Sequence, residues 1–103
     1  MPMKLLTKEI IKKTPKLYST ENIKPDEKMI TAKFFNPLGH EKWFLMELSE
    51  DNDIAYGLCV VFEKELGIFS INELKEIKLP FGLKIERDLY FQPCKYKDLK
   101  DIE

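Results

Sequence analysis

A chain of 103 residues is the length of one domain, and folding at that size buries roughly 60–70% of the surface an extended chain exposes. Apolar residues make up 44% and charged residues 34%, with seven Phe, four Tyr and one Trp, a composition that excludes a disordered segment. Seventeen Lys and Arg against eighteen Asp and Glu leave a net charge of -1, which excludes the uniform field of a histone-like nucleic-acid binder or of an acidic DNA mimic.

Taken in chain order, the first element is a short helix over Lys8–Lys13, with Thr7 as N-cap and Leu6 and Ile11 at the positions of a hydrophobic staple. Pro15 ends it. Lys4, Lys8, Lys12, Lys13 and Lys16 cluster around it and read as a solvated face. Residues 16–28 mix Ser19, Thr20, Asn22, Pro25 and Asp26 without a period and read as a loop anchored by Leu17, Tyr18 and Ile23. Residues 29–35 alternate, Ile30, Ala32 and Phe34 against Thr31, Lys33 and Phe35, as a half-buried strand does. After a turn at residues 36–39, Lys42–Leu48 predicts a second strand with Phe44, Met46 and Leu48 on one face and Trp43, Leu45 and Glu47 on the other.

Residues 49–53 form a polar hairpin connection, and residues 54–62 predict a central strand, apolar on both faces, that should bury Cys59. Glu63-Lys64-Glu65 turns the chain into a short strand over residues 66–69. Ser70-Ile71-Asn72-Glu73 is a capping box, stapled by Phe69 and Leu74, for a second helix over residues 71–77 that buries Ile71, Leu74 and Ile77 and stops before Pro80. Residues 83–92 read as extended, Ile85, Arg87, Leu89 and Phe91 against Glu86, Asp88 and Tyr90, with a helical turn pairing Ile85 and Leu89 as the alternative. The expected assembly is a single α+β domain over residues 4–93, an antiparallel meander of about four to five strands with two short helices. A charged tail over residues 94–103 follows.

Chemistry has few candidates. No run reaches the ~18 apolar residues of a membrane span, and residues 1–6 lack the length and cleavage site of a signal peptide. The expected location is the cytoplasm, with no membrane partner. Cys59 and Cys94 have no Cys-x-x-Cys spacing and His40 is the one imidazole, so reduced thiols, no metal and no cofactor are expected, and no catalytic triad. Glu50, Asp51 and Asp53 lack the glycine and distal glutamate of a calcium loop. Gly39, Gly57, Gly67 and Gly82 are isolated, each accounted for by a turn or a strand, and build no phosphate loop. Glu86-Arg87-Asp88 is the one constellation able to bind an anion or perform acid–base work. Its structural alternative is an Arg87 tied to a carboxylate such as Glu47 or Glu63. Trp43, Phe35 and Tyr56 could stack bases, but strand aromatics are more often core.

Several pieces recur together in a known family. They are Leu5-Leu6-Thr7 with Ile10, Pro15-Lys16-Leu17-Tyr18, Lys33-Phe34-Phe35 with Pro37 and Gly39, and Trp43-Phe44 with Glu47. They continue through Gly57, residues 62–67, Phe69-Ser70, Glu73-Leu74, Gly82-Leu83, residues 85–89 and Phe91-Gln92-Pro93. On these the chain resembles the domain-of-unknown-function family 2958, small bacterial proteins often found among the genes of plasmids, phages and integrative elements. Val61 and Ile68 stand where that family tends to have a small residue and a tyrosine. The resemblance implies a compact cytoplasmic protein travelling with mobile DNA and no particular reaction. The expectation is a non-enzymatic accessory or interaction module with a protein partner, its candidate surface carried by Trp43, Glu47, Glu63, Glu86, Arg87 and Asp88. The alternatives are a small hydrolase or ligand-binding enzyme using Glu86, Arg87 and Asp88 with Glu47 or Glu63, and a weak single-stranded nucleic-acid binder using Trp43 and the N-terminal lysines.

Overall fold

The computed structural model of the chain describes residues 4–101. The Thr7 hydroxyl accepts from the Ile10 amide at 3.1 Å and opens helix α1, Lys8–Lys13. Thr14 closes it by returning its amide to the Ile10 and Ile11 carbonyls, just before Pro15. Residues 16–28 follow as turns, bridged to the sheet where Lys16 meets Leu48 and ending in a 3-10 turn at Pro25–Glu27.

The alternation of residues 29–35 is interrupted at Thr31, so the expected strand is two: β1, Met29–Ile30, and β2, Ala32–Phe35. Strands β3 (Lys42–Leu48), β4 (Ile54–Val60) and β5 (Lys64–Ser70) continue the meander from β2, and β6 (Glu86–Arg87) pairs with the other side of β2. The five strands are antiparallel in the order β5-β4-β3-β2-β6. A second, two-stranded sheet joins β1 to β7, Cys94–Lys95. With its two short helices this is the expected single α+β domain.

The expected face assignment of β3 is overturned at its C-terminal end. Its register with β4 slips between Leu45 and Glu47, so Met46 is the extra residue of a β-bulge. A bulge inserts one residue and inverts the alternation beyond it. Trp43, Leu45 and Leu48 therefore share one face, against Leu5, Phe34, Ile71, Leu74 and Ile85. Phe44 and Met46 bury on the opposite face with Ile30, Leu58 and Leu99, and Glu47 points to that side. Covering an antiparallel sheet on both faces leaves almost no half-exposed position in β3, where six of seven residues are buried.

The helix α2, Ile71–Glu76, covers the first face through Ile71 and Leu74. Ser70 is its N-cap, accepting from the Glu73 amide at 3.2 Å. The partner that completes the cap comes from the β3–β4 hairpin: Asp53 accepts from the Asn72 amide at 3.0 Å and from the Ser70 hydroxyl at 2.7 Å, and its carbonyl accepts from the Ile71 amide.

Two further expectations give way. Within residues 83–92 only Glu86–Arg87 pair as a strand, after which Asp88 turns the chain by accepting the Tyr90 and Phe91 amides on its carboxylate and carbonyl. Leu89 is consequently exposed, while Phe91 returns to Phe44 on the second face with ring centroids 6.2 Å apart. Residues 94–101 are no fraying tail, and the last two residues of the expected tail lie outside the described residues. The segment pairs as β7, continues as a 3-10 turn over Tyr96–Asp101, and buries Leu99 to 2% exposure in the second core cluster. Tyr96 and Leu99, hidden among six charged neighbours in the sequence, supply that closure.

Candidate functional site

The residues singled out from the sequence are dispersed. Trp43 pairs between Phe34 and Cys59 and is 8% exposed, so its ring is core and has no face to offer a base. Arg87 donates through Nη1 to the Lys4 carbonyl and ties β6 to the N-terminal segment. Of the carboxylates expected to tie it, Glu63 stands in the β4–β5 turn at the opposite edge of the sheet from β6, and Glu47 is engaged by residues 18–28. Asp88 faces Lys33 at 3.6 Å, and its amide donates to the Lys33 carbonyl at 2.9 Å. Glu86, Arg87 and Asp88 thus leave the two-residue strand and the residue after it in alternating directions.

Glu47 becomes the centre of a different cluster. The bulge turns its carboxylate toward residues 18–28, where it accepts from the Tyr18 amide at 2.7 Å and from the Thr20 hydroxyl, with the Lys28 ammonium 3.8 Å away. That ammonium also lies 5.2 Å from the Tyr56 ring centre. Burial first, and then the Glu47 charge, push the Tyr56 hydroxyl above its ordinary pKa. With Glu47 2% exposed and its oxygens already hydrogen-bonded, the cluster fastens the loop to the sheet and presents no reactive group. Among the described residues no group of three or more His, Cys, Asp or Glu could hold a metal ion.

What the fold leaves open is the β5 side. The sheet has two edges of different character. At β6 the strand is two residues long, and the N-terminal segment reaches it through the Arg87 contact. At β5 the strand runs seven residues in unbroken register with β4, without proline or bulge, and among the described residues no strand pairs with its outer side. Sheets avoid unwanted pairing with short, bulged, proline-bearing or charged edges, and of these devices β5 uses only charge, in Lys64 and Glu65 at its start.

A hollow of about 430 Å³ lies beside this edge, lined by Cys59, Val61, Phe62, Glu63, Glu65, Gly67 and Ile68. Cross-strand pairing of Cys59 with Glu65 and of Gly57 with Gly67 puts Cys59, Glu65 and Gly67 on the first face, beyond the reach of the six-residue α2. Phe62 stands at the mouth, 98% exposed. His40 donates through Nε2 to the Val61 carbonyl at 2.7 Å, fixing the β2–β3 turn against the β4–β5 turn. Burial first, and then the Glu65 charge, raise the pKa of the half-buried Cys59 thiol. The expected full burial of Cys59 is therefore corrected: its strand is central, but α2 ends short of it.

Gly67 is the residue whose role the sequence hid. A side chain at Gly57 would collide with the Phe44 carbonyl, so that glycine is required where β3 bulges toward β4. A side chain at Gly67 would meet nothing within 4 Å. The two glycines look alike in sequence, and only the neighbouring strand distinguishes them. A Cβ at the second one would meet no atom of this chain, and with no bulge at that position, close approach of a ligand or another backbone is one of the remaining uses of a glycine inside a strand.

Comparison with known proteins agrees with the earlier resemblance. No curated protein and no solved structure matches the chain. The family model described as protein of unknown function (DUF2958) matches residues 5–97, which takes in every strand described above. The chain belongs to that family.

Proposed function

We propose that this protein is a non-enzymatic interaction module, an accessory of mobile DNA working in the cytoplasm, and that it engages a protein partner along β5. The observation that carries the reading is the unequal treatment of the two sheet edges, one short and tied down, the other long, regular and flanked by an apolar hollow. Addition of a strand to an exposed edge is a recurrent mode of protein recognition: main-chain hydrogen bonds supply affinity, and pockets for alternate side chains supply selectivity. The mobile-DNA setting rests on the family resemblance. The enzymatic alternative loses support because Glu86, Arg87, Asp88, Glu47 and Glu63 do not converge, and the nucleic-acid alternative because Trp43 is core.

Affinity capture from the native host, run in parallel with the wild-type chain and Gly67→Val, tests the proposal. The open space above Gly67 lets the valine fold without collision while it fills the floor of the hollow. A partner recovered by the wild type and lost with Gly67→Val, whose complex slows amide exchange in β5, is the expected result. Partners retained equally by both chains would overturn it.

A further inference from the structure

The hollow and the open edge also define what fits them. A strand added to β5 continues the pleat of the sheet, so its alternate side chains lie on the first face beside those of β5. The position opposite Gly67 is then directly over the hollow, and the position opposite Glu65 is two residues along the added strand, on the same face. Cys59, Val61 and Phe62 give the hollow apolar walls, and its charged lining residues are the two carboxylates Glu63 and Glu65. The exposed Ile68 and the half-buried Leu66 lie on the opposite face, next to Tyr56 and Leu58.

We infer that the occupant of the β5 edge is an extended segment of a partner protein that sets a bulky apolar side chain over Gly67 and a lysine or arginine against Glu65 and Glu63. The inference rests on reading β5 as the docking edge and adds the chemistry of what docks. A large aliphatic or aromatic side chain removes the walls of the hollow from water. The basic residue two positions away answers the acidic rim, and a β-branched residue at the one position between them, with another on the far side of the apolar residue, suits Leu66 and Ile68 respectively. A second copy of this chain fits less well. Two-fold pairing about Gly67 would set glycine opposite glycine, leave both hollows unfilled and put Glu65 opposite Phe69.

Display of random seven-residue peptides against the full chain, with Gly67→Val as counter-target, tests both levels. The expected selection is peptides with one large apolar residue and a Lys or Arg two positions from it. A synthetic peptide of that pattern should bind at least tenfold more weakly to Gly67→Val and to Glu65→Lys, lose affinity as salt is raised, and slow alkylation of Cys59. Cooperative thermal unfolding of both variants shows that they are folded, and Glu65→Lys keeps the test open if Gly67→Val does not fold. Gly67-dependent binders that are acidic, or that lack the large apolar residue, would overturn the inference and leave the docking edge standing. Self-association of the wild type that Gly67→Val abolishes would likewise overturn it, in favour of a second copy. Binders unaffected by both variants, or no binders to a folded wild type, would overturn the inference and the docking edge together.

Discussion

Gly57 and Gly67 face each other across β4 and β5, and substitution should separate them. Gly57→Ala drives a methyl group into main chain that cannot yield and should cost about 1–3 kcal/mol, the usual range for overpacking. Gly67→Ala enters open space and relieves a strand glycine, which should raise stability by about 0.5–1 kcal/mol. Urea midpoints of the two variants moving the same way would contradict this division. Glu47 is the other residue whose setting the sequence concealed: strict alternation puts it beside Trp43 and Leu45, whereas the bulge sends it to Tyr18, Thr20 and Lys28. Glu47→Ala should cost about 3 kcal/mol, because it strips a nearly buried ammonium of its counter-charge. A chemical-denaturation curve superimposable on the wild type would show that the loop needs no such anchor.

At the scale of elements, the features written in local chemistry were legible. Thr7 and Ser70 are caps by residue type and spacing, and both helices begin where those residues stand. Strand β3 has the bounds its alternation predicts, yet the faces along it were not legible, since a bulge leaves composition and length unchanged. The box reads from sequence as closed by the Glu73 carboxylate within the helix, whereas the acceptor the structure adds is Asp53, which reaches Ser70 and Asn72 across 17 and 19 residues of sequence. This shared cap makes a quantitative prediction. Ser70→Ala and Asp53→Ala should each cost about 1 kcal/mol, and the double variant should fall short of the sum by about 0.5 kcal/mol or more, as groups in one hydrogen-bond network do. Strict additivity would mean that Asp53 acts apart from the cap.

For the whole molecule, closure of the second face by residues 94–101 and the openness of β5 are both consequences of strand order, which no local pattern records. Glu27 ties the Pro25–Glu27 turn to that closing segment through Lys95 at 2.8 Å and Lys97 at 3.1 Å. Hydrogen bonds from Lys95 and then Lys97, with their charges, hold its carboxyl below the ordinary glutamate pKa. A lowered folded-state pKa contributes stability that is full above the unfolded value and is lost as pH falls through the folded one. Glu27→Gln should therefore differ from the wild type at neutral pH and converge with it in acid, and a difference independent of pH would assign the latch to something other than this carboxylate. The central claim concerns β5, proposed as the edge that takes up another chain. Amide hydrogen exchange along β5, measured in dilute protein and again with the selected peptide in excess, tests it most directly. The account predicts that the outward amides of β5 exchange rapidly in the free protein while those of β3 and β4 are protected, and that peptide slows them in the wild type but not in Gly67→Val. Outward β5 amides already protected in the dilute free chain, or unchanged by bound peptide, would contradict it.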